Sequence, residues 1–95
     1  MDRKTRPILY ISGPYSPTQF SSTEENICVA RIHAVRAWER GWAAFTPHLN
    51  TQGFEHLCQG VEHGDWLEGD LTIIQRMDPE QGDAMLMLPF WTLSP

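Results

Sequence analysis

Apolar residues in this chain fall in three short continuous runs, separated by two stretches of helical period. The first run, Ile8-Leu9-Tyr10-Ile11, is rich in β-formers and stops at Gly13-Pro14, which needs a turn before any further element. Trp42-Ala43-Ala44-Phe45-Thr46, closed by Pro47, is the second run, and Ala84-Met85-Leu86-Met87-Leu88, closed by Pro89, is the third. Runs without alternation predict strands covered on both faces. Between the first two runs, Ile27, Ala30, Ala34, Val35 and Trp38 recur at helical spacing, with Arg31, Arg36, Glu39 and Arg40 mostly on other faces. Ser22 with Glu25 three residues later is a capping box that starts this helix, Ser21 with Glu24 is a second register of it, and Gly41 ends it. Residues 65–77 predict a second helix with Asp65 as N-cap, followed by a turn over 78–82. Residues 48–63 show no clear period, and a short helix around 54–58 is the most they support.

The order is strand, helix, strand, loop, helix, strand, and such crossovers are right-handed and join parallel strands. It predicts an α/β fold with a doubly wound parallel sheet, about three strands and two main helices, with the first strand central. Ninety-five residues make a single domain, residues 1–95. Three strands are about half of such a sheet. The expectation is therefore an incomplete version lacking the last strand–helix units, or a chain that pairs with a copy of itself.

The charge is uneven. Residues 1–40 hold most of the Lys and Arg, whereas residues 41–95 hold Arg76 against Glu55, Glu62, Asp65, Glu68, Asp70, Asp78, Glu80 and Asp83, and the formal net charge is −5. This argues against binding a nucleic-acid polymer or an anionic membrane surface, both of which need basic patches. The two cysteines, Cys28 and Cys58, form no CxxC motif or disulfide framework. With a charged start running straight into the first strand and no apolar span of membrane length, the expected setting is the cytoplasm.

A strand followed by a Gly-containing loop and a helix start places a ligand at the carboxyl end of the strand, where backbone N–H groups favour an anion; an ordinary βα turn has the same look. In the second helix, Trp66, Leu67, Leu71, Ile73, Ile74 and Met77 share one arc and Asp70 lies in its middle. A carboxylate there is paired, protonated or at the lip of a pocket, and a raised pKa suits a general acid; the alternative is a shallow helix with Asp70 capping a nearby loop. Tyr10, within the first strand, reads as a core ring whose hydroxyl finds an acceptor. Asp83 precedes the third strand at the end away from the crevice and reads as structural, while Trp91 and Ser94 follow it on the ligand side. His48, His56, Cys58 and His63 match neither HExxH nor a zinc finger, so no metal is expected. GxGxxG, GxxxxGK[ST] and GxSxG are all absent from the sequence.

Together these residues resemble the nucleoside 2-deoxyribosyltransferase superfamily, including the deoxynucleoside 5′-monophosphate N-glycosidases and small uncharacterised relatives. The matching pieces are Tyr10-Ile11-Ser12-Gly13-Pro14-Tyr15, Glu25-Asn26 with Ala30, Gly41, Pro47-His48, Trp66-Leu67, Asp70-Leu71, Asp83-Ala84 leading to Leu88-Pro89, Trp91 and Ser94. Residues 78–82 look like a small insertion, leaving Asp78 or Asp83 to match the family's second Asp; the distance to Ser94 favours Asp83. The resemblance implies a flavodoxin-like, Rossmann-like fold in a homo-oligomer. It also implies cleavage or exchange of the N-glycosidic bond of a small-molecule 2′-deoxynucleoside or its 5′-monophosphate, with no cofactor. A Glu in that family attacks the anomeric carbon, and an acidic residue handles the proton on the departing base. Carried over, Tyr10 orients the nucleophile and Asp70 is the acid or a sugar-binding carboxylate. The substrate-binding set is Gly13, Pro14, Tyr15, Asn26, His48, Trp91 and Ser94, with the Gly13–Tyr15 loop lining the sugar and phosphate pocket and Ser94 bonding phosphate or ribose. The family's nucleophilic Glu follows a Ser-x-Gly segment, whereas this sequence stops at Pro95, one residue after Ser94. Activity is thus expected only where a neighbouring subunit or an extension supplies a carboxylate; the alternative is a non-catalytic module that binds a nucleotide or a partner and oligomerises.

Overall fold

The computed structural model describes residues 5–19 and 21–88. Its strands are β1 (Ile8–Ser12), β2 (Ala43–Phe45) and β3 (Ala84–Met87), and its helices are α1 (Thr23–Glu39), a single turn α2 (Pro47–Asn50) and α3 (His63–Gln75). Short 3₁₀ turns occupy Phe54–His56 and Pro79–Gln81. The sheet order is β2-β1-β3, parallel throughout, with Tyr10 level with Phe45 on one side and Met85 on the other. The first strand is central, as the order of elements predicts. Right-handed crossovers to strands on either side of β1 then put α1 and α3 on opposite faces.

The two faces differ. On the α1 side, Ile11, Ala30, Ala34 and Leu88 form the buried cluster, with Leu9, Ala44 and Leu86 packed against it. Small alanines on α1 let the helix lie close to the sheet. The buried positions of α1 are Asn26, Ile27, Ala30, Ala34 and Ala37, so Val35 and Trp38, expected on the core side, are about half exposed instead. Trp38 lies under the Arg6 guanidinium, which is 5.6 Å from the ring centroid and donates to the Trp38 carbonyl at the end of the helix. The other sheet face is only partly covered. None of the α3 residues is buried, and Met85 and Met87, expected inside, are 37% and 47% exposed. The unbroken apolar run of β3 therefore marks a strand packed on one face.

Local signals explain the boundaries. The Ser22–Glu25 capping box forms, with Glu25 N–H on Ser22 Oγ and Ser22 N–H on the Glu25 carboxylate, both at 3.1 Å. Gly41, at φ 94°, makes the left-handed turn that returns the chain from α1 to β2. Helix α3 begins two residues before the expected Asp65. The Asp65 carboxylate accepts the Glu62 N–H at 2.8 Å, which makes Glu62 the cap and Asp65 the third helical residue. Among the described residues no helix is long and apolar enough to cross a membrane, and both cysteines are free and exposed.

Asp83 fastens the end of the sheet away from the crevice. Its carboxylate oxygens accept the N–H groups of Ile8 and Asp78, each at 2.8 Å. These bonds, that from Asp78 first, hold its pKa below the ordinary carboxylate value. A depressed folded-state pKa stabilises above the unfolded value, and the contribution is lost as pH falls through the folded one. Asp83→Ala is accordingly expected to melt below the parent at pH 7, with the difference closing in strong acid; equal melting at pH 7 would remove this role.

Candidate functional site

A cavity of about 580 Å³ lies at the carboxyl end of β1, between the sheet face that carries Tyr10 and the inner side of α3. It exists because α3 stands off the sheet. Along the helix, Trp66, Leu67, Asp70, Leu71 and Ile74 face it, one side of a helix by their spacing, and Asp70 is the carboxylate in the middle of that apolar arc. Burial raises the Asp70 pKa above the usual carboxylate range. Tyr10 lines the cavity from β1, buried at 4% exposure with its ring 5.6 Å from that of Phe45. Burial first, and then the charge of Asp70, hold its hydroxyl well above the ordinary phenol value, so it is a neutral donor and acceptor at pH 7.

The loop after β1 forms the next wall. Gly13 is needed there for its size: a Cβ would sit 2.9 Å from the Leu88 Cβ, just where Leu88 N–H bonds the Ser12 carbonyl at 2.7 Å. Pro14 is buried, and its carbonyl accepts the Nε2–H of His48 at 2.8 Å, which assigns the Nδ1 lone pair as the free acceptor of that ring. His48 is 3% exposed, and its Nδ1 has no hydrogen-bond partner. Burial, outweighing the Pro14 and Gly13 carbonyls, lowers its pKa and keeps it neutral. The Tyr15 hydroxyl donates to Glu55 Oε1 at 3.2 Å and accepts the Gly53 N–H at 3.4 Å. Burial, more than the neighbouring carboxylate, raises its pKa.

Asn26 is placed differently from the other candidates. It is buried on α1 and does not line the cavity. Its amide donates to the carbonyls of Tyr15 at 3.2 Å and Ser16 at 3.0 Å, while Oδ1 accepts the Ser21 hydroxyl at 2.6 Å. It therefore shapes the wall from behind. The structure brings together Tyr10, Gly13, Tyr15, His48 and Asp70 around one space, with Pro14 just behind it; Trp91 and Ser94 lie outside the described residues. Glu55, Thr51 and His63 also line the cavity, although the sequence offered no reason to choose Glu55. It sits in a short 3₁₀ turn within a stretch that shows no clear period, and its place depends on Tyr15, forty residues earlier.

His56 and Cys58 are exposed and His48 is turned to Pro14, so this set does not converge. Among the described residues no group of three or more His, Cys, Asp or Glu side chains is arranged to hold a metal ion. The arrangement offers an aromatic and aliphatic enclosure, a carboxyl group whose pKa burial raises above the ordinary value and a neutral phenol on the facing wall. That set suits an uncharged ring with a group to be protonated on leaving. Compared with known protein families, with curated proteins and with solved structures, the chain finds no match in any of the three.

Proposed function

We propose that this cavity binds a 2′-deoxynucleoside or its 5′-monophosphate and acts on the N-glycosidic bond, in the manner of the nucleoside 2-deoxyribosyltransferases that the sequence resembles. The observation that carries the reading is Asp70, a carboxyl group of raised pKa set among apolar residues and facing Tyr10 across the space at the end of the central strand. Ligands of open parallel sheets bind at that place, and the order β2-β1-β3 fits the flavodoxin-like arrangement. In this reading the Asp70 proton passes to the base nitrogen as the C1′–N bond breaks and its electron pair leaves with the base. The Tyr10 hydroxyl orients the groups at the anomeric carbon. A carboxylate attacks that carbon in the family, and no residue among those described is assigned to the step. The resemblance also carries a homo-oligomeric state, which light scattering of the same preparation reads directly.

The test is incubation of the protein with the common 2′-deoxynucleosides and their 5′-monophosphates, with products resolved by chromatography. Release or exchange of free base is the expected result. Saturable binding without turnover would make the chain a binding module, and a flat calorimetric trace with every ligand would remove the nucleoside reading.

A further inference from the structure

We propose that the site is built for the uncharged nucleoside and turns the 5′-monophosphate away, with Glu55 as the residue that enforces the difference. The inference deepens the reading above and rests on it. In a strand–loop–helix unit, a phosphate is ordinarily held by the free N–H groups and positive end of the helix. Here that end already carries negative charge. Ser22 and Glu25 satisfy each other's N–H groups, the Glu24 and Glu25 carboxylates sit in the first turn, and the Asn26 amide spends its donors on Tyr15 and Ser16.

Among the described residues the cavity wall adds no Lys or Arg cation to offset this charge, and it contains Asp70 and Glu55. His48 commits its Nε2–H to Pro14, and its other ring nitrogen, Nδ1, is buried and carries a lone pair, not a donor. His63, at the start of α3, is the other histidine on the wall.

Glu55 adds position to charge. The Tyr15 hydroxyl, itself held by Gly53 N–H, fixes the carboxylate against the loop after β1, which by the resemblance lines the sugar and phosphate pocket. A 5′-hydroxyl can donate to a carboxylate at that place. A phosphate there carries about −1.5 to −2 charge at pH 7 and has only acceptors to offer. One residue thus attracts the nucleoside and repels the nucleotide, and a site that bonds a hydroxyl discriminates well against a ligand lacking it.

Calorimetry with the full chain at low salt tests this, using the four common 2′-deoxynucleosides and their 5′-monophosphates on the parent, Glu55→Gln and Glu55→Lys. Glu55 is exposed, so both variants are expected to fold, which circular dichroism checks. The parent should prefer the nucleoside by about tenfold or more, Glu55→Gln should shrink that ratio and Glu55→Lys should reverse it. Equal or tighter binding of the monophosphate by the parent would overturn the inference and leave the nucleoside-site reading standing, as would a ratio unmoved in Glu55→Gln. Binding of neither ligand would overturn both.

Discussion

Asp70→Asn is expected to lower base release by about a hundredfold or more while leaving the protein at least as stable as the parent at pH 7. Both halves follow from one observation. Asp70 is partly buried among Trp66, Leu67, Leu71 and Ile74, and that environment favours its neutral form. A proton kept beyond the ordinary carboxylate range is available to a leaving base, and the amide of Asn has none to give. The stability half comes from linkage. In the pH range above the unfolded pKa and below the folded one, the unfolded chain has released this proton and the folded chain still holds it. Stability is therefore lost as pH rises through the folded value, and an uncharged Asn escapes the loss. The same titration gives a rate that falls as pH rises through the folded pKa of Asp70. Chromatographic rates from pH 4 to pH 9, beside melting curves of parent and variant, check the whole set. Equal rates in parent and variant would end the assignment of Asp70 as acid. A variant that is slower but also much less stable would make it a structural residue.

Asp70 was legible in the sequence because a helix of 3.6 period leaves no ambiguity about which side position 70 occupies between Trp66 and Ile74. The strands were legible for the same kind of reason: three apolar runs, each cut by Gly or Pro, yield three parallel strands with the first in the middle. What could not be read is how far α3 stands from the sheet. Apolar content alone predicted burial for Met85 and Met87, whereas the space beneath them depends on side-chain packing that periodicity does not encode. Glu55 escaped for a related reason. Its place rests on a contact between a single 3₁₀ turn and the Tyr15 loop, and segments so short carry no period from which their meeting can be inferred. Asn26 is a binding residue by resemblance alone, whereas its hydrogen bonds place it behind the cavity, on the carbonyls of the loop that forms the wall.

That position gives the second large expectation. Asn26→Ala should cost about 2–4 kcal/mol of stability and lower the melting temperature by about 10 °C or more, because it strips the amide donors from the Tyr15 and Ser16 carbonyls. For a domain whose total stability is about 5–15 kcal/mol, this is a large share. Ser21 is less affected, as its hydroxyl keeps Thr18 Oγ1 at 3.1 Å. The sharper variant is Asn26→Asp, which preserves shape. It keeps an oxygen for the Ser21 hydroxyl but sets a carboxylate against two carbonyls in a buried site, so its charged form is disfavoured in the folded chain. The penalty should be full at neutral pH and relax in acid, where the protonated carboxyl again donates to one carbonyl. Asn26→Ala lacks a titrating group and should show no such relief. Melting curves at pH 4.5 and pH 7.5, with nucleoside binding measured alongside, separate the cases. If Asn26→Asp melts with the parent at pH 7.5, the amide is not what holds the loop. If it melts low yet binds as the parent does, the loop does not form the wall of the site.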